Sequence, residues 1–215
     1  MRQPFCLTRK DFATPLGNLS ADRDLIDAIQ SRCPDDLFED EGVHRSEHSI
    51  EFQCLFLRYL YPEPIPLRIV PILSGSFHEA IQNGVSPMEI KPIRQFIEAL
   101  NDTVSSAGEE VCYIASADLA HQGHQFGDPE GVREYDLRVL TEEDREMLGY
   151  VERMDGEGFF SSISKEKDRR RICGLPAIYA MLNVLNAKEG RLVKYGQAYT
   201  QETQSVVSFA SLAFY

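Results

Sequence analysis

The sequence predicts an α/β fold with a mixed sheet, and three observations carry that expectation. Segments whose apolar residues recur at helical spacing alternate with short apolar runs that lack period-two alternation, as strands buried on both faces do. The alternation finishes on two adjacent strand-like runs, which makes the sheet mixed. At 215 residues with 43% hydrophobic and 26% charged side chains, the chain fits one soluble domain. A chain of that size buries roughly 70% of its unfolded surface, so folding requires no disulfide or metal staple.

Taken in order, Phe5 to Thr8 reads as a short strand and the stretch to Asn18 as loop, with turn chemistry at Pro15-Leu16-Gly17. Ser20 is the N-cap candidate for a short helix that places Leu25, Ile26 and Ile29 on one face and ends at Pro34. Asp35 to Gly42 is acidic loop. A helix opens on Glu47-His48-Ser49-Ile50-Glu51 and runs to about Tyr61, with Ile50, Cys54, Leu57 and Tyr61 inward and Pro62 as its stop. Leu67 to Leu73 is an apolar strand, Ser74-Gly75-Ser76 a turn, and Phe77 to Gln82 a short helix. A longer helix follows Pro92, with Ile93, Phe96, Ile97 and Leu100 inward and Gly108 at its exit. The run from about Val111 through Ser116 is expected as a buried central strand that breaks into Asp118, His121, Gly123 and His124. Asp128 to Gly131 is loop, and Arg133 to Leu140 and Glu142 to Arg153 read as two helices, the second opening on Thr141-Glu142-Glu143-Asp144. Pro176 starts a buried helix reaching about Ala187, and strands Arg191 to Tyr199 and Ser205 to Phe214 close the chain. There is no internal repeat and no low-complexity tract.

The charge balance, 22 − 34 = −12, argues against nucleic-acid partners, which need clustered Lys and Arg, and against anionic membrane. Five cysteines (Cys6, Cys33, Cys54, Cys112 and Cys173) form no CxxC pair. The first residues lack the apolar core of a signal peptide, and no uncharged apolar run approaches the ~20 residues of a membrane span. A cytoplasmic protein with free thiols is the expectation.

Chemistry concentrates at a few places. In open α/β sheets, polar groups just beyond a buried strand stand where ligands gather, which singles out Asp118 and His121. Cys173 precedes a helix N-terminus and follows Arg169-Arg170-Arg171, a setting that favours thiolate; an inert buried thiol is the competing reading. His44-Arg45-Ser46-Glu47-His48 fits H-x-x-E-H, the inverted zinc-peptidase pattern, but only if one helix carries both imidazoles. Ser46 stands where an N-cap belongs, so the helix is expected to begin near Glu47 and spoil that geometry. Packing is the expectation for Cys6, Cys33, Cys54 and Cys112, and a surface or loop role for His78 and His124. Without a P-loop, a GxGxxG after a strand, or a GxSxG, nucleotide binding and nucleophile-elbow hydrolysis lack support.

Four ordered motifs, Pro15-Leu16-Gly17, Glu47-His48-Ser49-Ile50-Glu51, Ser116-Ala117-Asp118-Leu119-Ala120-His121-Gln122-Gly123 and Arg171-Ile172-Cys173-Gly174, resemble the Memo family over nearly the whole chain. That family includes the AmmeMemoRadiSam system protein B. The resemblance implies a three-layer αβα sandwich similar to LigB-type class III extradiol dioxygenases, with residues 1–215 as a single Memo-like domain. It also implies an iron or copper site in which Cys173 is a metal ligand, His121 a ligand or general base, Asp118 its catalytic acidic neighbour, and Glu47 and His48 part of the cofactor-binding surroundings. If such a site is active, the implied protein is a metal-dependent, dioxygenase-like oxidoreductase. The family's HAGY and GPxH motifs, which carry two further metal-site histidines, are absent, so the domain is N-terminally incomplete relative to the family. With those ligands missing, this chain alone is expected to bind metal weakly or not at all. A missing first strand would uncover a sheet edge, so a homo-oligomer or a covering partner is expected. The resemblance also links the family to phosphotyrosine peptides, which makes a non-enzymatic module binding a small molecule or peptide the alternative reading.

Overall fold

The computed structural model describes residues 1–108 and 110–215. Its elements in chain order are β1 (Phe5–Leu7), β2 (Phe12–Thr14), β3 (Gly17–Ala21), α1 (Arg23–Arg32), α2 (Ser49–Leu60), β4 (Arg68–Ile69), β5 (Ile72–Ser74) and α3 (His78–Asn83). Then follow α4 (Lys91–Ala107), β6 (His121–Gln122), α5 (Glu134–Glu152), α6 (Gly156–Ser164), α7 (Leu175–Val184), β7 (Gly190–Thr200) and β8 (Ser205–Phe214). The chain is α/β with a mixed sheet, as the alternation of patterns predicts. It divides into two compact units: Met1–Ser76 with Pro87–Ser116, and Phe77–Ser86 with Ala117–Tyr215. Among the described residues, no helix is long and apolar enough to cross a membrane.

In the first unit, the stretch expected as loop folds into a hairpin. The turn at Pro15 and Leu16 holds, but Phe12–Thr14 and Gly17–Ala21 pair antiparallel across it, Phe12 opposite Leu19. Gly17 sits at φ 122°, a conformation that side chains with a Cβ rarely adopt. The single strand expected over Leu67 to Leu73 is two, because Pro71 removes a ladder donor. β4 runs parallel to β3, whereas β5 runs antiparallel to β1, so the chain changes sheets at Val70-Pro71. Asp22, not Ser20, caps α1, its Oδ1 accepting from Leu25 N at 3.1 Å. Ile26 and Ile29 are fully buried, worth roughly 1.5–3 kcal/mol each. α4 follows its expected pattern, with Pro92 in the first turn and Gly108 left-handed at the exit. Phe96 stacks on Phe5 with ring centroids 4.0 Å apart.

The expected central strand is the clearest correction. Residues 111–118 enter no ladder among the described residues, and Val111, Cys112 and Ile114 are exposed. An apolar run becomes a buried strand only when a neighbour takes up its backbone groups and something covers its faces. The exposed Cys112 also departs from the packing role expected of it. Only His121–Gln122 pairs, antiparallel to β8.

In the second unit, β6, β8 and β7 form one sheet in that order, and the long β7–β8 pairing carries a register shift between Leu192 and Lys194. The two helices expected over Arg133 to Arg153 are one. No Gly or Pro interrupts the join, and the Thr141 hydroxyl donates to Leu137 O at 2.9 Å inside the helix instead of capping a new one. The N-cap of this helix is Arg133, closed by Asp136 Oδ2 accepting from Arg133 N at 2.8 Å. α6, which the sequence reading does not anticipate, is capped by Asp155, whose Oδ1 accepts from Gly158 N at 2.8 Å. The core gathers Leu140, Leu148 and Val151 of α5, Phe159 and Ile163 of α6, and Tyr179 of α7.

Candidate functional site

The segment 118–121 is fixed from both sides. Leu119 N donates to Ser208 O at 2.8 Å, and Ala120 N donates to the buried Ser208 hydroxyl at 3.0 Å. On the other side His121 N donates to Arg170 O at 2.7 Å, and Gly174 N donates to Asp118 O at 3.1 Å. These bonds lay residues 118–121 alongside residues 170–174. Gly174 makes the closeness feasible, since a Cβ there would stand 2.6 Å from Asp118 O.

His121 and Cys173 therefore occupy adjoining strips of chain, and both reach Asp118. The His121 Nδ1 lies 3.1 Å from Leu119 O and 3.2 Å from Arg171 O. Two carbonyl acceptors assign the proton to Nδ1 and leave the Nε2 lone pair open. Nε2 is 3.9 Å from Asp118 Oδ2, too long for a direct hydrogen bond. Cys173 is exposed, with its Sγ 3.4 Å from Asp118 O. Phe126 packs edge-on against the imidazole at 5.0 Å between centroids.

An arginine–carboxylate fork braces the same strip, and sequence reading missed it. Arg171 Nη2 donates to Asp128 Oδ1 at 2.5 Å, while Nη1 donates to Asp128 Oδ2 at 3.2 Å and to His121 O at 3.1 Å. Asp128 also accepts from Gly123 N at 2.7 Å. The Arg171 hydrogen bond holds the Asp128 carboxyl below the usual range. Behind it, Arg170 is buried against Asp144 at 2.6 Å and Glu166 at 2.7 Å, and Tyr195 donates to Asp144 at 2.8 Å. Burial pushes the Asp144 carboxyl up and the Tyr195 phenol to about 12. Lys167, Asp168 and Arg171 all have left-handed φ, near 55°, 50° and 54°, so the turn entering this strip stores backbone strain. The run Arg169-Arg170-Arg171 gave the signal but not the partners, because each guanidinium is answered by a carboxylate distant in the chain.

Glu47 and His48 lie in the first unit and act at a helix start. Glu47 Oε1 accepts from His48 N at 2.8 Å and Ser49 N at 2.9 Å, which lowers its pKa. His48 is exposed and meets Phe52 edge-on at 5.6 Å. The zinc-peptidase pattern fails on geometry: α2 begins at Ser49, while His44 belongs to a separate 3₁₀ turn, Glu41–Arg45. His44 Nε2 meets Cys6 O at 3.2 Å, and burial lowers its pKa. Among the described residues, no three His, Cys, Asp or Glu side chains are grouped so that they could hold a metal ion. The groups at 118, 121 and 173 thus fall short of a complete metal centre.

The family model described as "Memo-like protein" matches residues 1–213. A MEMO1 family protein of Aquifex aeolicus is 30% identical over 99% of this chain, which spans 52% of that relative. A MEMO1 family protein of Caldivirga maquilingensis is 29% identical over 97% of this chain and 66% of the relative. One from Pyrococcus abyssi is 28% identical over 94% of this chain and 67% of the relative. The chain spans about half to two thirds of the length of these relatives. With a family match running almost from end to end, the chain belongs to the Memo family.

Proposed function

We propose that His121 and Cys173, with Asp118 as the acidic neighbour of His121, are part of an iron or copper site of the extradiol-dioxygenase type, present in this chain as a partial donor set. The observation that carries the reading is the His121 ring. Its Nδ1–H is pinned by two backbone carbonyls, the arrangement that frees Nε2 as a donor, and the Cys173 thiol lies on the neighbouring strip. Two donors leave a first-row ion mostly solvated, so this chain alone binds Fe²⁺ or Cu⁺ weakly, and any redox activity needs ligands from elsewhere.

Elemental analysis and calorimetry on untagged protein test this. The expected result is substoichiometric metal with weak titration heats that vanish in Cys173→Ser. A tight stoichiometric ion would contradict the partial-site reading, and an unchanged affinity in Cys173→Ser would remove that thiol from the site. The peptide-module reading has less behind it. Arg169, Arg170 and Arg171, which would meet a phosphate, are already paired with Glu143 and Glu166, with Asp144 and Glu166, and with Asp128. Thermal stabilisation by a phosphotyrosine peptide but not by either metal would reverse the preference.

A further inference from the structure

We infer that α2 and the segment 111–116, both in the first unit, form one docking surface for a strand-bearing polypeptide, namely the stretch of Memo-family chain that lies outside the match. The sequence of α2 is apolar on two sides. The inward side buries Cys54 and Arg58, while Phe52, Phe56, Tyr59 and Leu60 form an outward stripe, exposed by 54, 60, 72 and 65%. Their spacing, i, i+4, i+7 and i+8, is that of a helix face meant for a core, and a helix apolar all round is normally covered on both sides. The segment Val111-Cys112-Tyr113-Ile114-Ala115-Ser116 has strand-forming composition, yet enters no ladder among the described residues. It is joined to α2: Gln53 Nε2 donates to Ser116 Oγ at 3.0 Å, and Ser116 Oγ donates to Ser49 O at 3.0 Å. The four side chains of the stripe present on the order of 400 Å² of apolar surface, within the range of the largest patch a monomer leaves exposed.

Two facts select the occupant. A segment without a ladder partner among the described residues, tied to an apolar helix, asks for backbone hydrogen bonds and apolar side chains together, which a β-strand flanked by apolar residues supplies. Each of the three relatives carries a further third to half of its length beyond the part this chain matches, so polypeptide of the right scale exists in the family. A second copy of this chain is the weaker candidate, because a net charge of −12 per copy opposes self-association.

The test mixes this chain with polypeptides made from the unmatched parts of the Aquifex, Caldivirga and Pyrococcus relatives. Binding is read by calorimetry and amide exchange by mass spectrometry. At least one polypeptide is expected to bind one to one and to slow exchange at 111–116. Phe56→Asp with Tyr59→Asp should weaken that binding at least about tenfold, as loss of aromatic anchors does. Tyr135→Asp, equally exposed but in the second unit, should leave it unchanged. Circular dichroism of each variant shows whether it folds. Absence of binding by all three, protection elsewhere than 111–116, or equal binding by the double variant would overturn the inference. So would a dimer of this chain alone that protects 111–116, which would assign the surface to a second copy.

Discussion

Helices α7 and α2 both carry apolar side chains around most of their circumference, and the structure treats them in opposite ways. In α7, Leu175, Ile178, Tyr179, Leu182 and Val184 are buried, because the second unit supplies α6 and the Phe77 segment to cover them. In α2 the outward aromatics meet solvent. Each unit also holds a buried arginine, and the two are satisfied differently. Arg170 is answered by carboxylates of Asp144 and Glu166. Arg58 is answered by the backbone carbonyls of Tyr61, Ile65 and Asn18, at 3.0, 3.3 and 2.6 Å. Apolar periodicity states that a face wants cover; only the presence of a covering element turns that demand into stability.

The contrast can be broken by substitution. Tyr179→Ala removes a ring packed edge-on to Phe77 and Phe160 and the hydroxyl that donates to Glu157, and should cost about 4 kcal/mol in urea unfolding. Arg170→Ala strands the buried Asp144 and should cost about 3 kcal/mol. A loss below about 1 kcal/mol in either case would mean that the second unit is less tightly built than its contacts imply. Within the first unit, Asp22→Ala should cost about 1 kcal/mol by uncapping α1. Phe56→Ala, on the uncovered face, should stay within about 0.5 kcal/mol. A larger effect at Phe56 would show that the face is already covered in solution.

Acid sharpens the comparison further. Burial lowers the His44 pKa, so the folded protein resists a proton that the unfolded chain takes up near its ordinary value of about 6.5. That contribution to stability is complete above this value and is lost as pH falls through it. His44→Gln should flatten the stability profile below about pH 6.5, by at most ~1.4 kcal/mol per pH unit for one proton. An unchanged slope in denaturant titrations would place the acid sensitivity elsewhere.

How much was legible follows the same logic. The α4 boundaries were readable because Pro92 and Gly108 fix φ locally, and the closing strands because they pair with each other across a short turn. The hairpin of β2 and β3 was not, since three to five residues leave too little periodicity to separate strand from loop. Segment 111–116 reads as a strand by composition and enters no ladder among the described residues, because pairing depends on a neighbour that no local pattern reports. At the site, Asp118, His121 and Cys173 could be singled out by residue type and position. The bonds that lay 118–121 against 170–174, and the Arg171–Asp128 fork, join positions far apart in the chain and left no trace in spacing.

Gly174 lets the strip bearing the thiol rest directly on the carbonyl of Asp118, main chain against main chain. The spacing between the two main-chain strips that carry sulfur and ring is consequently measured out by peptide units. Exchanging the side chain at 121 or 173 changes the reactivity on offer while the ruler stays put, whereas a single methyl at 174 would act as a wedge and lengthen it. That position offers a way to tune the separation without touching either reactive group.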